Sequence, residues 1–214
     1  MTDFKPETVG IATGKNAGFD FGLKVFLTDS MGQEYHAPLL MRKASKLIKV
    51  LSKKLSSKKK GSKNWNKARI ATAKLHEKIV QKRRDFFWKL AHQLCNTYDH
   101  LFFENLNLEG MKRLWGHKVS DLAFARFLEI LNFVADKKGK YVGFVSRWYP
   151  SSKTCNHCGH VNNNLELKDR WWRCSQCNKE QHRDINAAKN IYREGASSLG
   201  LGDVSQGFDF AIAD

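Results

Sequence analysis

The hydrophobic positions of the chain follow two different periods. Between Ala17 and Thr28, aromatic and branched residues nearly alternate with polar ones, which predicts one strand, or a strand running into a second, around Asp20. A short third strand is predicted over Gln33–His36. From Lys43 the spacing becomes that of a helix, which marks the change from strands to helices.

Two long helices follow these strands. In the first helix, leucines recur at every fourth position, at Leu47, Leu51 and Leu55. Lysines fill many of the positions between them. The second runs from about Lys67 to Asn96, with an apolar face made of Leu75, Ile79, Phe86, Leu90 and Leu94. The turn-rich sequence SSKKKGSKN joins the two helices, so the pattern predicts a helical hairpin at about 42–96.

The second half of the chain returns to shorter elements. Strands are predicted over Asp99–Glu104 and Lys140–Ser146. Helices are predicted over Asp121–Lys137 and Ile185–Arg193. The first strand, DHLFFE, is apolar and ends in the carboxylate of Glu104. Ser120 and Asp121 are candidate caps of the helix that follows. From Gly195 the periodicity is lost, which predicts a poorly ordered tail.

Positive charge is concentrated in the predicted hairpin. The 214 residues include 37 Lys and Arg against 21 Asp and Glu, a net charge of +16. Arg42–Leu90 alone holds 18 basic residues and two acids, so the rest of the chain is balanced. A basic helical face can serve solubility alone, but a whole surplus in one segment favours contact with a polyanion. We expect nucleic acid as the partner.

The composition, 42% hydrophobic and 27% charged, fits a soluble globular protein. It excludes the collagen-like, disordered and membrane-embedded classes. The first sixteen residues, MTDFKPETVGIATGKN, lack the apolar stretch of a secretory signal. We therefore expect a cytoplasmic protein with no membrane partner.

Four of the five cysteines form two tight pairs, Cys155 with Cys158 and Cys174 with Cys177, separated by fifteen residues. In a cytoplasmic protein this spacing indicates a zinc ribbon rather than disulfides. Four thiolates close the coordination shell, so the predicted zinc ion, one per chain, is structural.

Other metal-binding residue types lie near these pairs. His157, His160 and His182 could replace a ligand, but surface or nucleic-acid contact is the favoured interpretation. The fifth cysteine, Cys95, is expected to be a buried small hydrophobic residue on the second helix.

Three acids stand out by position. Asp20 lies within the first strand, Glu104 ends a buried strand, and Asp184 precedes a short helix. Singly, each is typical of a cap or a strand end. Brought together, they would repel one another unless divalent cations neutralised them. The set therefore predicts a Mg²⁺ site suited to phosphodiester hydrolysis, with two ions about 3.5–4 Å apart and Mn²⁺ as a substitute.

Four ordered motifs carry a family resemblance. They are GFDFGLKVF around Asp20, LFFENLNLEGM around Glu104, the two CxxC pairs, and HRDINAAKNI around Asp184. Their order, with a basic hairpin between the first two and a ribbon before the last, resembles the transposon-encoded TnpB family, which is related to the type V CRISPR nucleases. The resemblance covers about Ala17 to Arg193.

The resemblance implies an α/β fold: a RuvC-like, RNase H-like mixed sheet with an inserted basic helical hairpin and an inserted zinc ribbon. It divides the chain into a first core part at 1–149, a target-nucleic-acid-binding ribbon at 150–181, the final core motif at 182–195 and a tail at 196–214. Asp20, Glu104 and Asp184 fall on the family's three catalytic, metal-binding acids. Members are RNA-guided DNA endonucleases in which Mg²⁺-activated water attacks the phosphate, leaving a 3′-hydroxyl and a 5′-phosphate.

The resemblance also implies the partners, which are target DNA and a guide RNA in the prokaryotic cytoplasm. Full-length relatives carry an N-terminal lobe, about as long again, that binds the guide RNA and reads a flanking DNA motif. Only some sixteen residues precede the first predicted strand here. We therefore expect the chain to correspond to the C-terminal half, with the missing lobe or a full-length relative as a further partner.

Nucleic-acid contacts are expected in two places. In the hairpin, the lysines that would follow a phosphate backbone are Lys53, Lys54, Lys58, Lys59, Lys60 and Lys63. In the ribbon, Trp171 and Trp172 beside Arg173 are candidates for stacking on bases, and at least one of the two tryptophans is expected in the ribbon core.

Two further groups have a structural interpretation. The tryptophans expected to pack inside are Trp65, Trp88, Trp115 and Trp148. Asn186 and Asn190 lie one helical turn apart, and either position the Asp184 segment or add polarity to the surface.

Three functions fit these features. The first is a divalent-metal DNA endonuclease, RNA-guided when the missing lobe is supplied, because clustered acids give a pure binder of a polyanion no advantage. The second is a nucleic-acid-binding accessory or regulatory protein of an insertion sequence that cuts nothing, which the missing lobe favours. A strand-transferring transposase ranks third, because the resemblance is to TnpB rather than to cut-and-paste enzymes.

Overall fold

The computed structural model describes residues 11–106, 113, 116 and 121–201. At its centre lies a mixed sheet of five strands in the order β3-β2-β1-β4-β5. The strands are β1 Asn16–Phe21, β2 Leu27–Asp29, β3 Glu34–Tyr35, β4 His100–Glu104 and β5 Tyr141–Val145. β1 pairs antiparallel with β2 and parallel with β4, and β4 pairs parallel with β5. The predicted mixed α/β fold is confirmed.

Four helices are described in full: α1 Leu40–Ser56, α2 Lys63–Thr97, α3 Phe124–Lys137 and α4 Arg183–Ser198. They match the predicted helices with shifted ends. α2 begins four residues earlier than predicted, because Ser62 accepts a hydrogen bond from the Trp65 N–H and caps the helix. Among the described helices, none combines the length and apolar character needed to cross a membrane.

A smaller antiparallel sheet of two strands, β6 Trp171–Arg173 and β7 Glu180–His182, belongs to the ribbon. Its cross-strand pairing places Trp171 opposite His182. β7 runs directly into α4, so the ribbon is joined to the core without a linker.

The two faces of the five-stranded sheet are covered by different helices. On one face, α2 and α3 enclose an aromatic core of phenylalanines, in which Phe26 stacks on Phe87 and Phe124. On the other face, α4 packs against β1 and β4. A Cβ added at Gly18 of β1 would lie 2.2 Å from the Ala188 carbonyl oxygen, so the helix and strand backbones are in direct contact.

The C-terminal end of α4 lies beyond the predicted boundary. A tail was expected from Gly195, but Gly195 and Ala196 are buried and the helix continues to Ser198. The glycine is required by packing, since a Cβ there would come 2.2 Å from the Phe102 ring. Residues 202–214, the remainder of the expected tail, lie outside the described residues.

The predicted role of Asp121 was wrong. α3 has no side-chain cap, and the Asp121 carboxylate instead accepts the N–H groups of Met41 and Arg42, both at 3.1 Å. It also pairs with Arg83 at 3.2 Å. Asp121 therefore caps α1, a contact about 80 residues away in sequence that no local pattern encodes. Ser120 lies outside the described residues.

α1 and α2 form the predicted basic hairpin. α1 packs on α2, yet none of its residues is buried, and Leu47 is 51% exposed although it was predicted on the apolar face. A cleft of about 350 Å³ between the helices is lined by apolar and basic side chains, among them Leu51, Lys54, Lys58 and Lys67. The predicted phosphate-binding lysines are all exposed.

Replacing Gly18 with alanine tests the contact between α4 and β1. We expect Gly18→Ala to lower the free energy of unfolding by at least about 3 kcal/mol, because the methyl group would meet backbone atoms that cannot move aside. Gly14→Ala is the control: its φ of 69° makes alanine cost about 1 kcal/mol, but no other atom lies near. Urea unfolding measures both, and equal losses would contradict the close packing at Gly18.

Candidate functional site

Asp20 and Glu104 lie at the same edge of the sheet. The parallel pairing sets Phe19 opposite Phe103, so the two acids take the next position on neighbouring strands. Both phenylalanines enter the core formed with α2 and α3. Side chains alternate between the faces of a sheet, so the two carboxylates lie on the other face, where α4 packs.

α4 brings a third acid, Asp184, to this edge of the sheet. The region of Asp20, Glu104 and Asp184 forms the acid corner. Asp184 is the second residue of α4, and all three carboxylates are partly buried. Burial, followed by the negative charges of Asp184 and Glu104, raises the pKa of Asp20 well above its ordinary value. Arg183 and Arg170 oppose this rise. The charges of Asp184 and Glu104 therefore both act on Asp20.

Glu104 is held from the segment that follows β5. The Ser151 hydroxyl lies 3.4 Å from its carboxylate and donates to it. Burial raises the pKa of Glu104, and this hydrogen bond lowers it. The contact between Ser151 and Glu104 could not be predicted from the sequence, because the two residues lie 47 positions apart and share no motif.

Arg170 is a second site residue that the sequence did not reveal. One of its guanidinium nitrogens, Nη1, donates to both carboxylate oxygens of Asp184, at 2.7 and 2.9 Å. Within the described residues, the acids do not come close enough to form a group of three metal ligands; the four cysteines do. Because Arg170 already donates to both oxygens of Asp184, a cation bound by Asp184 would compete with the guanidinium for the same carboxylate.

The four cysteines form the predicted cluster. Their sulfur atoms all lie within 4.8 Å of one another. Cys155 Sγ is 3.7 Å from Cys177 Sγ, and Cys158 Sγ is 3.6 Å from Cys174 Sγ. Tetrahedral zinc with Zn–S bonds of about 2.3 Å would set its sulfur atoms about 3.8 Å apart. The cluster is consistent with a zinc site.

The same backbone turn shapes both CxxC pairs. The residue after each pair, Gly159 or Asn178, has a left-handed φ of 76° or 60°. Each donates its N–H to the carbonyl of the first cysteine of its pair, Cys155 or Cys174. Burial opposes ionisation of Cys174, but nearby backbone N–H groups and thiols lower its pKa to about 6. The pKa of Cys155 is raised by burial and that of Cys158 is raised to about 12, so without metal the ionised form is favoured at Cys174 and disfavoured at these two.

Neither the histidines nor the fifth cysteine joins this cluster. His157 is exposed, and His160 Nε2 lies 3.1 Å from the Ser175 hydroxyl. The His182 ring packs edge-on against Trp171. Cys95 is fully buried on α2, as predicted.

Asn186 and Asn190 tie the start of the ribbon to α4. Both are buried, and each Nδ2 donates to the carbonyl oxygens of Ser151 and Thr154, at distances between 2.6 and 3.4 Å. Of the two interpretations left open, the structure supports positioning over surface polarity. Because Ser151 also donates to Glu104, these hydrogen bonds link Glu104 to α4, the helix that carries Asp184.

The two ribbon tryptophans divide as expected, with one of them in the ribbon core. Trp172 is only 7% exposed and packs there, which leaves little of its ring for a base, while Trp171 is 63% exposed. Arg173 is exposed. Trp148 was expected to be inside, yet it is 86% exposed. Trp65 and Trp88 are half-buried, and Trp115 lies outside the described residues.

Two family models match this chain. Residues 124–191 match the Cas12f1-like TNB domain, and residues 4–114, more than half of the chain, match the family described as "Probable transposase" (OrfB_IS605). The chain belongs to the TnpB transposase family. The match to the TNB domain spans the cysteine cluster and Asp184, and the other spans Asp20 and Glu104.

Named relatives agree with the TnpB assignment. A Streptomyces pristinaespiralis protein named "Putative RNA-guided DNA endonuclease" is 31% identical over 194 residues, covering 90% of this chain and 48% of that protein. The TnpB-like protein L79 of Acanthamoeba polyphaga mimivirus is 28% identical, covering 84% of this chain and 37% of its own length. The chain thus spans about half, or less, of these relatives.

A solved structure shares the fold. The cryo-EM structure of a Cas12f1–sgRNA–target DNA complex matches with a TM-score of 0.57 at 20% identity. The match covers 84% of this chain and 50% of the Cas12f1 chain.

Zinc content tests the cysteine cluster. We expect one zinc ion per chain, lost in Cys174→Ser and kept in Cys95→Ala, because Cys95 lies on α2 away from the cluster. Metal analysis of the purified proteins measures this, and strong chelator should unfold the ribbon and expose Trp172. Equal zinc contents in the two variants would contradict the site.

Thermal stability tests the corner where the acids meet. The pKa of Asp20 is raised in the fold, so its ionised form destabilises the protein above its ordinary pKa of 3.8, increasingly as pH rises. At neutral pH without divalent metal, Asp20→Asn should raise Tm, by about 2–4 °C for each kcal/mol of destabilisation relieved.

Mg²⁺ should raise the Tm of the parent and have less effect on Asp20→Asn, since a ligand stabilises only the state that binds it. Glu129→Gln, a change at an exposed acid of α3, is the matched control and should respond as the parent does. Equal Mg²⁺ shifts in the parent and Asp20→Asn would argue against a cation beside Asp20.

Proposed function

We propose that the chain is the catalytic and target-binding portion of a TnpB-type DNA endonuclease, with a RuvC-like, RNase H-like core, and that it is RNA-guided in its longer relatives. The observation that carries the proposal is the convergence of Asp20, Glu104 and Asp184 at one corner of the sheet. The endonuclease names of the relatives support the same reaction.

The residue types at this corner suit divalent cations, and among the described residues the three carboxylates would have to draw closer together to share one ion. Hard carboxylate oxygens are the ligands that Mg²⁺ prefers. Burial and then repulsion by the other two acids raise the pKa of Asp20, and a bound cation would offset both effects. Asp20, Glu104 and Asp184 would hold two Mg²⁺ ions, with Mn²⁺ as a substitute. Bound Mg²⁺ supplies an activated water and neutralises charge on the DNA phosphate.

The residues around the acids have their own roles in this mechanism. Ser151 orients the Glu104 carboxylate, and burial of that carboxylate limits its freedom to turn. Arg170 neutralises Asp184 in the protein without metal, which limits the repulsion of a phosphate before the cations bind. Asn186 and Asn190 hold the loop that carries Ser151 against α4.

The basic hairpin and the ribbon would hold the nucleic acid. The lysines from Lys53 to Lys63 are exposed along the hairpin, where they can follow a phosphate backbone. In the ribbon, Trp171 and Arg173 are exposed. Both follow closely after Arg170, which binds Asp184. Zinc in the cysteine cluster would be structural, because four thiolates leave no open ligand position.

The alternative function is a nucleic-acid-binding accessory or regulatory protein of an insertion sequence that does not cleave. The ion pair between Arg170 and Asp184 favours it, because one acid is already neutralised without metal.

Cleavage of labelled single-stranded DNA in Mg²⁺ or Mn²⁺ separates the two functions. We expect metal-dependent cutting by the parent and a loss on the order of 100-fold or more in Asp20→Ala and Glu104→Gln, because each removes a charge that holds the cations. Glu129→Gln should cut at the parental rate.

Binding of the same DNA, measured alongside, completes the experiment. DNA binding without any metal-dependent cleavage would favour the accessory function. Equal cutting by the parent and Asp20→Ala would mark a contaminating nuclease and contradict the assigned acids.

A further inference from the structure

Trp148 is exposed in a way that packing does not explain. Its side chain is 86% exposed, more than that of any other tryptophan among the described residues. Arg147, beside it, is also exposed. An indole left in water loses the contacts that usually bury this residue, and such side chains are frequent in binding sites.

The turn that carries Trp148 is held in place. The Tyr149 N–H donates to the Ser146 carbonyl at 3.1 Å, and the Trp148 N–H lies 3.3 Å from the Ser146 hydroxyl. Beyond the turn, the carbonyls of Ser151 and Thr154 are bound by the two buried asparagines of α4. The indole therefore projects from an ordered backbone, which lowers the entropy lost on binding.

This turn adjoins the second acid. Val145 pairs with Glu104 across β4 and β5, and the Ser151 hydroxyl donates to Glu104. Trp148 lies three residues from each of these two contacts, so its backbone is within about 11 Å of both. The turn that carries Trp148 therefore joins two residues that contact or pair with Glu104.

The third acid has a similar neighbour. Trp171 is exposed, and it follows Arg170, whose guanidinium binds Asp184. Each of these two acids is thus contacted by a residue that lies within three positions of an exposed tryptophan.

We propose that Trp148 forms a nucleobase-stacking subsite that holds single-stranded DNA beside Glu104, with Arg147 against the phosphate backbone. The inference rests on the proposed nuclease function and adds a residue that positions its substrate. Stacking on an indole accepts any base, which suits a site that must act on many sequences. The charge of Arg147 favours a nucleic acid over an apolar protein surface as the occupant.

The test is binding of two fluorescein-labelled 15-nucleotide strands, one of thymidines and one of abasic sites. All proteins carry Asp20→Ala, so the strands stay intact. We expect Trp148→Ala to weaken binding of the thymidine strand by about five- to 150-fold, the usual range for loss of one stacked base. Binding of the abasic strand should change less than about twofold, because its phosphates are unaltered.

Two further variants make the comparison specific. Trp148→Phe should restore most of the thymidine binding, since an aromatic ring remains. Phe133→Ala, a change at a 55% exposed aromatic residue of α3, should leave both affinities unchanged.

The possible failures are distinguishable. If Trp148→Ala binds the thymidine strand as the parent does, or weakens both strands equally, the stacking subsite is refuted while the nuclease proposal stands. If the parent binds neither strand, both proposals fail.

Discussion

The close contact between α4 and β1 is the constraint on which the rest of the site depends. At Gly18 the strand and helix backbones approach so closely that a Cβ would lie 2.2 Å from the Ala188 carbonyl oxygen. This approach lets α4 lie flat on the sheet, with Asp184 in its first turn beside the edge where β1 and β4 end. A wider spacing would move the third acid away from the other two.

The same corner concentrates negative charge that the fold must tolerate. Burial and the neighbouring carboxylates raise the pKa of Asp20, and Arg170 binds Asp184 from the ribbon. The buried, mutually repelling carboxylates cost stability, and perturbed pKa values of this kind cluster at functional sites. The positive surplus lies elsewhere, on the exposed basic hairpin. The charges that would hold DNA are thus separated from those that would hold cations.

The ribbon is joined to the core by a direct strand-to-helix connection and by hydrogen bonds to α4. β7 continues directly into α4, and Asn186 and Asn190 bind the carbonyls of the segment that enters the ribbon. That segment also carries Ser151, which contacts Glu104, and it follows the turn of Trp148. Distortion of the ribbon would therefore reach two of the three acids, even though its cysteines lie outside the acid corner.

The sequence by itself determined the elements, the cysteine cluster and the three acids that the fold brings to one corner. Periodicity and motif spacing are local, so the strands of the main sheet, the helices and the CxxC pairs could be predicted with shifts of a few residues, whereas the short ribbon strands β6 and β7 were not predicted. Only the tertiary structure decided that Asp121 caps α1 and that Gly195 lies inside a helix. It also decided that Trp172 is buried and Trp148 exposed. Finally, it decided that Arg170 binds Asp184 and that Ser151 binds Glu104. Each of these depends on a partner that is distant in sequence or on the packing of a whole face, and composition carries no record of either.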